Sequence, residues 1–513
     1  MGGFQTQMKF DAVIIGSGLG GLECAYILAK NGKKVCVVEK NAAPGGCLQS
    51  FRRGTDEFDT GFHYVGALGK GQILERLFTY FDLMKLPWHQ LDTDGFDQVV
   101  FQDKSYLLCN GYENFADSLS SRFPESRTEI SKYSAFLKEV GSKITDPLFS
   151  NGGWDSTNSL FSLSAWEYLR STLKNNLVRD IASGTSLKLE LCRQTLPLYT
   201  FAQINSSFIQ SAWRLKGRGS LIAESLSDSI RKMGGTIMLS TEAIELSDEN
   251  SRVSRLKVRS TRGGLFKELS ESDCQTIEAD CFISDLSPQL TLQLLKDSPA
   301  VRPVFRRRIS RLEQTYGFFT VNIKLKPEKV KYLNRNVYYY SPDLSSVWDI
   351  PEKLSDGRTR GILISQQVPE QGPFATQMDI LAPMGYKEVE QWENTFPLHR
   401  GEKYREFKAR KAEECLQMAE EVFPHLRESV DTFYTSTPLT YRDYTGAVQG
   451  TAYGIRKDCN NLIMTLLAPK TPLGNLYFTG QNLNLHGVLG VSLTSLITCS
   501  EILGKEPVVS FLE

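Results

Sequence analysis

Ala12, Val13, Ile14 and Ile15 form an unbroken apolar run near the start of the chain, a pattern that predicts a strand buried on both faces of a parallel sheet. Gly16 ends it. From Leu22 the apolar positions Ala25, Tyr26, Leu28 and Ala29 recur at helical spacing until Asn31-Gly32 stops the helix, and Val35 to Val38 predict a second buried strand. At the opposite end, "GNLYFTGQNLNLHGVLG" reads as a strand over Leu476–Thr479, a turn at Gly480, and a helix opening near His486-Gly487. Between these ends, about Leu91 to Leu215 and about Val301 to Asn460 lose the strand–helix rhythm. There "TYGFFTVNIKL" and "NVYYYS" predict β-strands whose rings either floor a long apolar pocket or fill an ordinary core. The class is α/β at the amino end and α+β overall.

The glycines between the first strand and helix give the pattern a chemistry. Gly16, Gly18 and Gly21 fit G-x-G-x-x-G: the first turns the chain, the second admits a pyrophosphate to the backbone, and the third lets helix pack on strand. Glu39 closes the second strand about 20 residues on, where an acid accepts hydrogen bonds from ribose hydroxyls. Adenosine diphosphate is the expected ligand fragment. Flavin and nicotinamide dinucleotides present the same fragment, so the fingerprint does not choose between them. Downstream, "KNAAPGGCLQSFRRGTDEFDTGFHYVG" brings a second glycine-rich stretch, and the carboxyl end offers a second helix N-terminus. That suits a cofactor with a second polar end, as a flavin has.

Composition narrows the class further. At 513 residues the chain is long enough for two or more interlocked domains. Lysine plus arginine and aspartate plus glutamate balance at 59 each, which leaves no global field to attract nucleic acid. The 10 cysteines show no C-x-x-C pair, and no spacing indicates a metal site. "MGGFQTQMKFDAV" lacks an apolar leader core, and no run reaches the ~18 apolar residues of a spanning helix. These features predict a cytoplasmic location, with any membrane association peripheral.

The amino block through "GGCLQSF" and "EFDTGFHYVG", together with the carboxyl block "NLYFTGQNLNLHGVLG", resembles the phytoene desaturase superfamily of FAD-dependent oxidoreductases, within it the retinol saturase and carotenoid isomerase branch. "GRGSLIAESLSDSIRKMGGTIMLSTEAIEL" and "HRGEKYREFKARKAEECL" are similar to further segments of that family. The resemblance implies a Rossmann-type FAD domain assembled from residues 1–90, 215–300 and 461–513, and an inserted substrate domain of residues 91–214 and 301–460, built on a β-sheet flanked by helices. It implies that the loop Gly16, Ser17, Gly18, Leu19, Gly20 and Gly21 holds the pyrophosphate, with Glu39 and Lys40 at the adenosine ribose. Gly45, Gly46 and Leu48 would line the phosphate and ribityl region, and the Ala243 backbone would meet the adenine. Gly480 and Gln481 would meet the pyrophosphate or ribityl chain, and Gly487-Val488 would face the flavin ring. Many relatives carry an acid where this chain has Gln481, so that residue's role is the least transferable.

The activity implied is oxidoreduction or isomerisation at carbon–carbon double bonds of an apolar retinoid-, carotenoid- or isoprenoid-like substrate, through hydride transfer at flavin N5. His63, Tyr64 and His486 are the proton-transfer candidates inside the cofactor motifs, set against a purely structural role for the histidines. Asp59 reads as an acceptor that organises backbone N–H groups. A single fingerprint argues against a stably docked second nucleotide and leaves NAD(P)H as a transient electron donor. A flavin amine oxidase-like enzyme and a non-catalytic flavin-bearing lipid-binding protein stand as the alternatives. For a bilayer contact, Leu77, Phe78, Phe81, Met84 and Trp88 supply an apolar stripe, and Arg306, Arg307, Arg308 and Arg311 a basic cluster, set against the ordinary readings of the stripe as core and the cluster as a solvated helix face.

Overall fold

Four strands end level with one another, and the register that makes them do so positions everything else. In the computed structural model, which describes residues 8–149, 159–262, 274–296 and 298–512, strand β1 (Met8–Ile15) leads into helix α1 (Leu19–Lys30) and strand β2 (Val35–Val38). Strands β3 (Thr236–Met238), β4 (Thr241–Glu249), β5 (Arg252–Ser260), β6 (Cys274–Ser284) and β7 (Leu476–Phe478) complete a seven-stranded sheet, and helix α2 (Gly487–Leu503) follows. Residues 1–7, most of the stretch read above as lacking a leader core, lie outside the described residues.

β1 is parallel to both neighbours: Ile15 stands opposite Val38 of β2 and opposite Ser284 of β6. Ser284 in turn pairs with Phe478 of β7. The residues that come next, Gly16, Glu39, Asp285 and Thr479-Gly480, therefore emerge along one edge, the carboxyl edge of a parallel sheet where α/β proteins bind ligands. The run from Ala12 to Ile15 is buried on both faces, as its lack of alternation requires.

A second seven-stranded sheet runs Val430–Ser436, Gly317–Leu325, Gln377–Met384, Gly361–Gln366, Asn336–Tyr340, Asp97–Phe101 and Lys104–Leu108. It contains both ring-rich segments expected to be strands. Every pairing in it is antiparallel except that between Asn336–Tyr340 and Asp97–Phe101. A small sheet of Val65–Gly66, Ala212–Leu215 and Trp88–Gln90 lies in the chain segments between the two. Asp59 acts as expected, its carboxylate accepting the Gly219 amide at 2.8 Å.

The structure decides between the two readings of the Leu77–Trp88 stripe. The stripe proposed to meet a bilayer is core: Leu77, Phe78 and Phe81 are fully buried, Phe81 lies edge-on to Tyr26 of α1 (ring centroids 5.4 Å), and Trp88 packs on Phe78 at 5.3 Å. Helix Ile73–Tyr80 turns that face inward against α1, which the spacing of apolar residues alone does not reveal. The arginine cluster is partly consumed as well. Arg306 donates to the Leu292 and Leu295 carbonyls, and Arg308 to those of Met464 and Leu466.

The two ends of the chain are joined through a buried acid. Glu23, in α1, accepts hydrogen bonds from Ser492 (2.6 Å) and Ser495 (3.0 Å) of α2, and with no counterion among the described residues its burial pushes the carboxyl up to about 8. A raised carboxyl holds its proton in the fold but loses it in the unfolded chain, so its contribution is complete below about 4.5 and is lost as pH rises toward about 8. Glu23→Gln removes the titration. Its stability relative to the wild type is expected to improve by on the order of a few kcal/mol between pH 5 and pH 8, measured by denaturant midpoint; parallel pH profiles for the two proteins would contradict this.

Candidate active site

The glycine loop and the strand ends enclose a groove of about 530 Å³ lined by Gly16, Ser17, Gly18, Glu39, Lys40, Gly46 and Ala243. Glu39 ends β2 with one carboxylate oxygen accepting from Ser17 N–H (3.1 Å) and Ser17 Oγ (2.6 Å) and the other from Asn41 N–H (2.8 Å). Its remaining lone pairs face the groove, where a ribose would lie. Ser17 also ties down the second glycine stretch, its carbonyl accepting the Gly45 amide at 2.9 Å. The Glu39 carbonyl accepts the Thr241 amide at 2.7 Å and so holds the start of β4, with Ala243, at the adenine end. Lys40 turns away to the Asp443 carbonyl, 2.9 Å distant.

Three backbones meet at the centre. A Cβ on Gly20 would lie 3.0 Å from Gly480 Cα, and one on Gly46 would lie 3.2 Å from Gly18 Cα. A Cβ on Gly21 would fall 2.3 Å from the Gly16 carbonyl, which is the helix-on-strand contact expected of the third glycine.

Beyond this point the groove opens into a second cavity of about 360 Å³. The two share Gly18, Gly46, Asp285 and Leu286 in their walls. Leu19, Gly20, Gly45, Leu48, Gly480, Gln481, Gly487 and Val488 line the second cavity, so the sequence-derived cofactor residues surround one continuous space, with Gly21 behind them in the packing. His63, Tyr64 and His486 line it too. Phe62, Phe208, Phe318, Leu363 and Leu381 give the same wall an apolar character.

The sequence reading missed the strongest electrostatic feature of this cavity. Lys188, on the turn Ser186–Lys188, is buried with its ammonium 4.1 Å from the centre of the Phe208 ring. It donates to Tyr64 Oη at 3.3 Å and Thr185 Oγ1 at 3.1 Å, and lies 3.6 Å from the Asp97 carboxylate. Tyr64 donates to Asp97 at 2.9 Å and shares a 2.6 Å hydrogen bond with Tyr338, while Asn336 donates to the other Asp97 oxygen at 2.8 Å. Burial lowers the ammonium to about 8, with Asp97 opposing the shift, and burial raises the Tyr64 phenol well above its usual range. Parallel pairing of Asn336 with Asp97 at the start of their strands brings this cluster together.

Both histidines are neutral at neutral pH, because burial lowers each to about 4. His486 stacks beside Tyr453 (ring centroids 4.5 Å), and its Nε2–H donates to the Lys188 carbonyl at 3.0 Å, which fixes the tautomer. His63 lies 3.9 Å from Asp379, and its Nε2 is buried without a partner in the protein. The Gln203 and Gln314 side-chain oxygens, on residues lining the same cavity, are likewise unpaired. Glycine surfaces that a Cβ would fill, an acid at the ribose position, and orphaned polar groups around an apolar chamber together fit a flavin dinucleotide.

Residues 14–81 match the family of NAD(P)-binding Rossmann-like domains. Along nearly its whole length the chain is similar to the all-trans-retinol 13,14-reductase of Rattus norvegicus, at 26% identity over 98% of this chain and 87% of that protein. It is also similar to the 4,4'-diapolycopene oxygenase of a Methylomonas species, at 23% identity over 98% of each. Among solved structures, an oxidoreductase from Methanosarcina mazei shares the fold, with a TM-score of 0.62, 16% identity, and coverage of 95% of this chain and 99% of that one.

The packing at Gly21 is directly testable. Gly21→Ala sets a methyl group against the Gly16 carbonyl, and a loss of about 1–3 kcal/mol is expected in the denaturant midpoint. Gly474→Ala, whose Cβ meets nothing closer than 3.6 Å, is the control, and equal midpoints for the two would contradict the contact.

Proposed function

We propose, from the chain's membership of the phytoene desaturase-like superfamily, that it is an FAD-dependent oxidoreductase acting on carbon–carbon double bonds of an apolar conjugated substrate, most like a saturase. The observation that carries this reading is the second cavity: an apolar chamber continuous with the dinucleotide groove, carrying one buried ammonium–phenol pair in its wall. FAD bound there would supply hydride acceptance and delivery at its N5 edge.

The chain's own residues supply the rest. The Gly16–Gly21 loop, Glu39, Gly45-Gly46 and Gly480-Gln481 hold the dinucleotide. Phe62, Phe318, Leu363 and Leu381 exclude water from the reacting carbons. Saturation needs a proton as well as a hydride, and the Lys188 ammonium, lowered to about 8 by burial, is the proton source in the cavity wall. Tyr64, whose own proton is donated to Asp97, accepts from the ammonium at 3.3 Å and holds it in place. His63 and His486, uncharged, serve as hydrogen-bonding fixtures around the cofactor.

The ammonium also argues against an amine oxidase. An aromatic cage for a cationic amine would use ring faces such as that of Phe208, which Lys188 already covers. A flavin held there would draw its electrons from a transient donor such as NAD(P)H or a quinone. Peripheral membrane contact keeps support from the arginine half of the expected patch, with apolar residues other than the Leu77–Trp88 stripe beside it. Val304 (69% exposed) and Ile463 (86% exposed) lie on neighbouring segments that Arg308 ties together, with Arg307 and Arg311 on the same helix and its end. No helix among the described residues is long and apolar enough to cross a membrane.

Anaerobic mixing of the reduced, flavin-loaded chain with all-trans-retinol or a carotene tests the function. A change in the polyene spectrum coupled to flavin reoxidation is expected, and no change in either with any polyene contradicts the proposal. Lys188→Met is expected to slow the polyene step by about 10²–10⁴-fold and to abolish the rate decline as pH rises through about 8, with reduction of the flavin by dithionite unchanged.

A further inference from the structure

The register that delivers Glu39 to the groove also delivers a second acid, Asp285, to its narrowest point. The Asp285 carboxyl packs against the glycine loop at the start of α1, where the Gly18 and Gly21 amides favour its ionised form and oppose the effect of burial. Its oxygens lie 2.4 Å from where a Gly18 Cβ would stand, 2.5 Å from a Gly480 Cβ and 2.9 Å from a Gly20 Cβ. It lines both cavities. The glycine surfaces and helix-start amides that a dinucleotide's pyrophosphate would use are thus shared with a side-chain acid.

An ionised Asp285 would oppose the doubly charged pyrophosphate inside an enclosed space. The titratable groups coupled to it are Glu39 on β2, an acid, Glu23 on α1, a buried acid bonded to serines, and Cys47 on the second glycine stretch, a thiol pushed up to about 11; of the cations lining the groove, Lys40 is held by the Asp443 carbonyl, Arg259 is paired with Glu242, and Lys296 is exposed. Among the described residues no lysine or arginine forms an ion pair with it.

We propose that Asp285 engages the dinucleotide pyrophosphate as the neutral acid, donating a hydrogen bond to it, so that cofactor capture takes up one proton from solvent. The proposal rests on the flavin reading above and assigns to this residue a role that the glycine fingerprint does not contain. Burial already pushes the carboxyl up to about 7 in the protein alone, and an added dianion raises it further. The sign follows: the bound form holds the proton more tightly, so affinity is greatest below about 7 and falls as pH rises, by up to about tenfold per pH unit, until the bound-state value is reached.

The test is calorimetric titration of FAD into the deflavinated full-length chain at pH 8, in two buffers of different ionisation enthalpy. Uptake of about one proton per FAD is expected, with Kd rising about tenfold between pH 7.5 and pH 8.5. Asp285→Asn keeps an uncharged donor in the same place, and it should bind FAD with a Kd independent of pH over that interval and without proton uptake. A wild-type titration with no proton uptake overturns the proposal and needs no variant to do so. So does an Asp285→Asn protein that keeps the wild-type slope, which would assign the proton to Glu23. FAD that binds at no pH overturns the flavin reading itself, and this inference with it.

Discussion

The architecture depends on a place where a side chain cannot be. Gly20 at the start of the first helix and Gly480 after the last strand approach so closely that a Cβ on the first would sit 3.0 Å from the Cα of the second. That approach is set by hydrogen-bond register. β1, β2, β6 and β7 end level, so the loops that leave them crowd one edge. β6 is the node of this arrangement. Its first half pairs with β5 and its second with β7, which seats the carboxyl-terminal segment in the sheet that the amino terminus begins. Burial of Glu23 between α1 and the serines of α2 locks the same two ends from the other side.

From this edge the site separates into two electrostatic regimes. The groove holds two acids, Glu39 against Ser17 and Asp285 beside the glycine loop, with Lys40, Arg259 and Lys296 also in its lining. The chamber beyond it is apolar and holds a cation, Lys188, whose partner Asp97 and that acid's own donor Asn336 stand on adjacent strands of the second sheet. Each sheet contributes what its connectivity allows. Parallel strands give converging ends suited to a dinucleotide, and the largely antiparallel sheet gives a broad ring-lined wall suited to an apolar chain. Buried acids and a buried base whose values move toward neutrality mark the junction of the two.

Much of the cofactor side was legible from the chain because its signals are local. An all-apolar strand, three glycines, a strand-terminal acid and a helix after a Gly turn each have a spacing that backbone geometry dictates. The residues that escaped are those placed by long-range pairing. Asp285 reads as an ordinary acid after a strand until the register sets it beside Gly18. Lys188 sits in "GTSLKLEL", with no periodicity to mark it, and meets Tyr64 and Asp97 only through the fold. The Leu77–Trp88 stripe leaves core and bilayer face open in the sequence for the converse reason. Its amphipathic spacing was correct, but which neighbour covers an apolar face is a tertiary fact, and the cover is α1.

The central claim is that residues from both ends of the chain grip a single flavin dinucleotide. The flavin-to-protein ratio of the purified full-length chain, measured alongside Gly18→Val and Gly480→Val, tests it most directly, since each substitution fills the same cradle from a different end. One FAD per chain in the wild type and none in either variant is the expected result. A colourless wild-type protein that does not take up FAD, or a Gly480→Val protein that keeps its full flavin content, would contradict it.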